Sequence, residues 1–517
     1  MLSAYANEPY VDFREDGPRE RMQAALRAVE AEFGRHYPLL IGGEYVCAED
    51  PVESTNPANP AQVVGVVSRA RSQHVERAMA AAWGAFPAWS ATDPDVRARY
   101  LLKAAAIVRR RIYEFSAVLV YEVSKSWAEA YADTAEAIDF MEFYAREMMR
   151  LKGAHPTTPF AGEENEVRYV PLGVGAVISP WNFPLAIMAG MTTAAIVTGN
   201  TVLLKPASQS PVVAARFVDV LREASLPAGV VNFVPGSGAE IGDALVDHPR
   251  TRFVAFTGSK EVGLRIFQRA AAVHPGQVWL KRTILEMGGK DAVIVDEDAD
   301  LDDAADGVVA SAFGYQGQKC SACSRLIAHT AIHDDLLARV VERTRGLVLG
   351  DPTDARTQMG AVIDAGARRK IEGYIALAAT EGRVVYGGGT PTAPGPGHFV
   401  SPTIVADLSP ESRIAQEEIF GPVLAVLRAE SFEHALKIAN GTEFGLTGAV
   451  YSRSREHLER ARHEFHVGNL YLNRKCTGAL VDVQPFGGFN MSGTDSKAGG
   501  RDYLSLFTQA KSVAERW

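Results

Sequence analysis

From Tyr169 to Leu204 the chain carries no charged residue. A membrane-spanning helix needs about 20 apolar residues in a row, so length alone admits one. Pro171, Pro180 and Pro184, with Gly173, Gly175, Asn182 and Gly199, break the run and exclude that reading. What remains is a strand over 174–178, a helix over 184–197 and a strand over 201–204. A strand with no polar face must be covered on both sides, which belongs to a parallel sheet flanked by helices. The alternation continues with a helix over 211–224, a strand over 230–234, a helix over 239–247, a strand over 253–256 and a helix over 261–272. This is an α/β chain with a Rossmann-type unit of about five strands.

Upstream, apolar spacing predicts helices over 19–33, 73–89, 96–111, 113–124 and 127–151. Gly42-Gly43 between two short apolar runs marks a hairpin, and 165–171 reads as a strand. A second α/β series spans 291–468, with strands over 291–295, 325–328 and 423–428 and helices over 335–348, 367–381 and 432–440. The glycine- and proline-rich stretch 387–397 is a surface loop, and the tail from Asp502 is strand-like. A length of 517 residues calls for two or three domains. A net charge of −9 and no dense Lys/Arg stripe exclude a nucleic-acid footprint. The N-terminus lacks a signal-peptide pattern, and four cysteines suit a reducing compartment; the expectation is a cytoplasmic protein without membrane attachment.

One of those cysteines stands in Gln316-Gly317-Gln318-Lys319-Cys320-Ser321-Ala322-Cys323, after a helix over 301–315. A thiol at such a polar spot is useful as a thiolate, which calls for a partly open, electropositive setting. The Cys320-x-x-Cys323 spacing also fits metal or disulfide chemistry, but Cys47 and Cys476 stand alone and no second ligand pair exists, so no metal is expected. Ile178-Ser179-Pro180-Trp181-Asn182-Phe183-Pro184 is a rigid loop at the carboxyl end of a buried strand, where α/β ligands bind. Asn182 is a turn residue or an amide donor. Lys205 closes the next strand, where it is a solvated lysine or reaches a ribose. Phe256-Thr257-Gly258-Ser259-Lys260-Glu261-Val262-Gly263 is a strand, turn and helix start that suits a pyrophosphate, or else a plain βα turn. Glu286, before Met287-Gly288-Gly289-Lys290, is a cap or a general base. Glu418-Ile419-Phe420-Gly421-Pro422 places another carboxylate beside a strand.

Taken together and in order, these motifs resemble the aldehyde dehydrogenase superfamily from about Tyr37 to the C-terminus. The resemblance implies that fold: a Rossmann-type cofactor domain over 1–150 and 171–286, with a return segment near 469–487, a catalytic domain over 287–468, and a β oligomerisation flap over 151–170 and 488–517. It implies Cys320 as nucleophile, Asn182 as oxyanion donor and Glu286 as general base. It implies NAD held by Ile178, Ser179, Pro180, Trp181, Lys205, Ala207, Ser208, Gly238, Gly242, Thr257, Gly258, Ser259, Val262, Gly288, Glu418 and Phe420.

The finer resemblance is to the 1-pyrroline-5-carboxylate dehydrogenase branch, which oxidises L-glutamate γ-semialdehyde in proline breakdown. Gln316 to Arg325, Phe465 to Tyr471, and Arg474 through Gly478-Ala479 to Gly488 carry it. It implies Phe183, Ser321, Gly478, Ala479 and Phe486 as substrate contacts, a homodimer or trimer of dimers, and transfer of substrate from a separate proline dehydrogenase. The alternatives are another small carboxylated semialdehyde, or a non-catalytic binding protein on the same fold. Lys205-Pro206-Ala207-Ser208 departs from many NAD-specific relatives, which have a glutamate where Ser208 stands. A glutamate there would repel a 2′-phosphate, so the serine leaves NADP usable beside NAD.

Overall fold

The computed structural model describes residues 3–48, 50–389 and 395–517. Part of the predicted loop over 387–397 lies outside the described residues. Two seven-stranded sheets dominate. The first runs in the order Arg282–Glu286, Phe253–Thr257, Val174–Ile178, Thr201–Lys205, Val231–Phe233, Leu39–Ile41 and Glu44–Val46. Its first five strands are parallel, and the predicted hairpin adds the two antiparallel ones. Val174–Ile178 and Thr201–Lys205 are buried throughout, as their lack of polar alternation required. The helix between them, Ala186–Val197, is apolar on every side and buried at all positions but Ile187.

The second sheet runs Arg383–Tyr386, Thr403–Ala406, Val423–Ala429, Cys323–His329, Asp291–Val295, Thr447–Tyr451 and Asn469–Leu472. The segment expected to return to the cofactor unit near 469–487 therefore begins as an edge strand of this second sheet, paired in parallel with Thr447–Tyr451. A third sheet joins His36–Tyr37, Asn59–Val67 and Val52–Asn56. Its two longer strands went unpredicted, because Val52-Glu53-Ser54-Thr55-Asn56 is polar and Pro60 sits at the head of the other. Arg282–Glu286 also went unpredicted, since Lys281 and Arg282 mask its short apolar run.

Of the residues expected to form a flap, Thr508–Arg516, Glu163–Pro171 and Ala154–Pro156 make a three-stranded sheet. Thr508–Arg516 pairs along the whole of Glu163–Pro171. Residues 488–507 do not belong to it. Phe489–Asn490 pairs with Phe444–Gly445. Tyr503–Phe507 is a short 3-10 helix whose Tyr503, Leu504 and Phe507 are buried in the main core, with the Tyr503 ring stacked on Tyr144.

Among the described residues no helix is long and apolar enough to cross a membrane.

Candidate active site

The predicted positions meet at the carboxyl edge of the first sheet. Ile178 is in register with Lys205 and with Phe256, and Thr257 is in register with Glu286. Four loops thus leave the sheet side by side, in the crevice where open α/β sheets bind ligands.

The Cys320 loop faces that crevice from the second sheet. The helix before it ends at Phe313, two residues short of expectation, because Tyr315 and Gln316 adopt left-handed backbone angles, φ 50° and 56°. Such angles cost non-glycine residues free energy and persist only where surroundings enforce them. Here the Tyr315 hydroxyl donates to Val123 O at 3.1 Å. The Gln316 amide donates to Ser124 O at 3.0 Å and Ala361 O at 2.8 Å. Gly317 follows at φ 67°, with a hypothetical Cβ only 2.4 Å from Gly421 O, so nothing larger fits. Cys320 is then delivered half-buried, just before the strand Cys323–His329.

The setting of the thiol corrects one expectation. Burial pushes Cys320 well above the ordinary thiol range, and Asp291, Glu286 and Glu418 push it the same way. The protein alone gives this cysteine an acidic neighbourhood, where an electropositive one was expected. Cys323 is buried and donates to Arg325 O at 3.5 Å. All four cysteines are free.

Asn182 is buried, and its amide donates to Gln318 O at 3.2 Å, two residues before Cys320. The loop with the amide and the loop with the thiol are therefore joined directly. Glu286 ends its strand with Oε1 accepting from the Ser496 hydroxyl and, at 3.4 Å, from the Ser496 N–H. Its Oε2 is buried without a hydrogen-bond partner among the described residues. Burial raises its carboxyl from 4.5 to about 7, against the opposing hydrogen bonds of Ser496.

The residues along the crevice suit a dinucleotide. The Ser179 hydroxyl is buried without a hydrogen-bond partner among the described residues. The Lys205 ammonium, pushed down to about 8 by burial, donates to Pro206 O at 2.9 Å. Trp181 meets Phe420 edge-on at 5.4 Å. Ser259 caps the helix Lys260–Ala271, accepting from Val262 N–H at 3.4 Å, and Val262 presents an exposed apolar side chain beside it. Gly258 has no room for a Cβ, which would fall 2.5 Å from the Phe256 ring. Glu418, expected at a ribose, accepts from Gly289 N–H at 3.1 Å and crowds Gly288. Gly238 and Gly242 bracket a single π-helical turn, and a Cβ at either would meet nothing, so close packing does not explain those glycines. Ser208 and Gln209 form a turn closed by Ser210 N–H donating to Ala207 O at 3.3 Å, with Ser208 exposed.

A second corner lies beyond the thiol. Ser321 is nearly buried, and its carbonyl accepts from Thr447 Oγ1 and Cys476 Sγ. Cys476 leads straight into Thr477-Gly478-Ala479, where Gly478 has φ +78°. Arg474 donates to the carbonyls of Thr477 and Gly478 at 3.1 and 3.2 Å, and Lys475 lies alongside. Phe486 is half-buried, fixed by paired backbone hydrogen bonds to Ala498. Phe183 faces Tyr315 at 6.2 Å.

Sequence reasoning missed the charges beneath this corner. Lys319 pairs with Glu129 at 2.6 Å, and Lys125 pairs with Asp133 at 2.9 Å with both side chains fully buried. Burial drives the Lys125 ammonium down and the Asp133 carboxyl up, each opposed by the other's charge. The available signal was Glu129, Asp133 and Glu136 at i, i+4 and i+7 along one face of the helix Trp127–Leu151.

The family model for the aldehyde dehydrogenase family matches residues 45–513. The 1-pyrroline-5-carboxylate dehydrogenase of Geobacillus kaustophilus is 62% identical, with 100% of each chain covered. The crystal structure of 1-pyrroline-5-carboxylate dehydrogenase from Thermus with bound NAD is 52% identical, covers 100% of both chains and superposes with a TM-score of 0.98. Proline utilization A from Bdellovibrio bacteriovorus is 45% identical over 99% of this chain and 53% of its own, with a TM-score of 0.97. On the strength of a match across both sheets and the crevice between them, the chain belongs to the aldehyde dehydrogenase family.

Proposed function

We propose that this chain oxidises L-glutamate γ-semialdehyde, formed from 1-pyrroline-5-carboxylate, to L-glutamate with NAD, the second step of proline catabolism. The observation that carries this is the convergence of Cys320, Asn182 and a Glu286 oxygen without a hydrogen-bond partner among the described residues in the crevice between the two sheets, beside a small-residue loop flanked by Arg474 and Lys475. Cys320 Sγ, on losing its proton, forms a bond to the aldehyde carbon. The Asn182 amide and the Cys320 N–H hold the oxygen as it gains charge; one such donor is typically worth about 3 kcal/mol. Bound NAD supplies the acceptor for the hydride that leaves this carbon, giving a thioester on Cys320. Glu286 then takes a proton from the water that cleaves the thioester, releasing the acid and restoring the thiol. A group raised to about 7 is well matched to that task near neutral pH.

The Gly478 and Ala479 N–H groups, with the Ser321 hydroxyl, bind the substrate α-carboxylate as a backbone nest. Phe183 and Phe486 pack its aliphatic stem. Lys205 and Glu418 take ribose hydroxyls, and the Ser259 turn takes a phosphate. With serine at 208, NAD is preferred and NADP is usable. The protein works in the cytoplasm as a homodimer or trimer of dimers joined through the flap, and takes its substrate from a separate proline dehydrogenase. NADH formation from 1-pyrroline-5-carboxylate at neutral pH tests the reading, with succinate semialdehyde as competitor. A higher kcat/KM for the latter would move the assignment to another carboxylated semialdehyde, and no NADH with any aldehyde would leave a binding protein on this fold.

A further inference from the structure

The link between the helices Ile112–Val123 and Trp127–Leu151 touches both halves of the reaction centre. Val123 O and Ser124 O hold the left-handed Tyr315 and Gln316 that aim the Cys320 loop. The Ser124 hydroxyl accepts from Ala361 N–H at 2.9 Å, whose own carbonyl holds the Gln316 amide. The next residue, Lys125, sends its ammonium between two rings, 3.8 Å from the centre of Phe183 and 4.6 Å from that of Tyr315. Phe183 adjoins Asn182, and Tyr315 lies five residues before the thiol. Asp133 accepts from Lys125 with one oxygen and, with the other, from Ala186 N–H at 2.7 Å, where the Asn182 loop turns into its helix. One buried ion pair is thus bonded or stacked to both loops whose separation sets the distance from amide to thiol.

Stability alone does not explain the pair, because neutral residues of similar volume commonly replace a buried ion pair at little cost. We propose that Lys125 and Asp133 are positioning residues: the pair clamps the Asn182 loop against the Cys320 loop, so that amide and thiol address one carbonyl together. This rests on the aldehyde-oxidation reading. Among the described residues the pair makes no hydrogen bond or ring contact with a residue assigned to the cofactor, so its effect falls on the acylation half of the reaction.

The test is Lys125→Met with Asp133→Asn in the full-length enzyme, which removes both charges, preserves volume and leaves an oxygen for Ala186 N–H. Stopped-flow NADH formation reads acylation with hydride transfer, and fluorescence titration reads NAD affinity. We expect acylation to fall at least tenfold, NAD affinity to stay within twofold, and Lys125→Arg, which keeps a cation between the rings, to recover most of the rate. An acylation rate within twofold of the parent overturns the proposal, and so does a parallel loss of NAD affinity, which marks a general structural role. Should the double variant not fold, the isosteric Asp133→Asn alone is held to the same thresholds. A parent enzyme that makes no NADH sinks the oxidation reading itself, whereas an active parent with an unchanged variant sinks only the clamp.

Discussion

Replacing Glu286 by glutamine should stabilise the cofactor-free protein at neutral and alkaline pH, and hardly at all in acid. The carboxyl is 9% exposed, and burial raises it from 4.5 to about 7. A group whose folded value lies above its unfolded one costs the fold nothing below about 4.5. The cost grows as pH rises through about 7 and is complete above it. At roughly 1.4 kcal/mol per pH unit, the interval from 4.5 to about 7 is worth ~3 kcal/mol. Unfolding entropy of roughly 2.1 cal/mol/K per residue turns this into about 3 °C for the whole chain. Thermal midpoints of parent and Glu286→Gln, scanned at one rate, should therefore nearly coincide at pH 5 and differ by about 3 °C at pH 9, the variant being higher. The same titration appears in catalysis, since thioester hydrolysis by the parent should climb through about pH 7 to a plateau. Equal midpoint differences at both pH values would refute the reasoning, because a change in packing or hydrogen bonding has no such pH dependence.

Cys320→Ala should abolish oxidation while binding NAD with unchanged affinity, and Glu286→Ala should release a burst of about one NADH per site and then stall, as rapid-mixing absorbance would record. Ser208→Glu should suppress NADP turnover about tenfold more than NAD turnover; the exposed turn screens the charge and limits the effect to ~1.4 kcal/mol, read by kcat/KM with both cofactors. Deleting residues 510–517 strips an exposed stretch of the flap strand without touching the buried Tyr503, Leu504 and Phe507, so light scattering should show a smaller assembly of folded protein. Cys323→Ala should keep most of the activity, because that thiol is buried and bonded to Arg325 O rather than offered to the crevice.

The residues at the reaction centre were legible because each carries a local signal. Cys320 stands among small and polar neighbours, Asn182 between two aromatics and two prolines, and Glu286 ahead of two glycines. The strands Val174–Ile178 and Thr201–Lys205 were legible because a segment without a polar face has to be covered on both sides. The edge strand Val52–Asn56 was not, since a polar edge strand is stabilised by its partner's backbone rather than by its own side chains, and Asn59–Val67, the central strand of that sheet, was hidden by Pro60 at its head. The end of the helix before Cys320 was hidden for a related reason. Nothing in Gly314-Tyr315-Gln316-Gly317 dictates left-handed angles at Tyr315 and Gln316; hydrogen bonds donated to the carbonyls of Val123, Ser124 and Ala361, distant in sequence, impose them.

The sequence by itself determined which chemical groups this protein brings and which segments must be buried, because residue type and apolar periodicity act locally. Tertiary structure alone decided their electrostatics and spacing. Four strand ends in register put Lys205 and Glu286 at one edge, burial reset their proton affinities, and the carboxylates of Glu286 and Asp291, at the two ends of one short link, came together with that of the remote Glu418 around Cys320. Such effects depend on distance and desolvation in space, which a chain acquires only when residues remote along it are packed together.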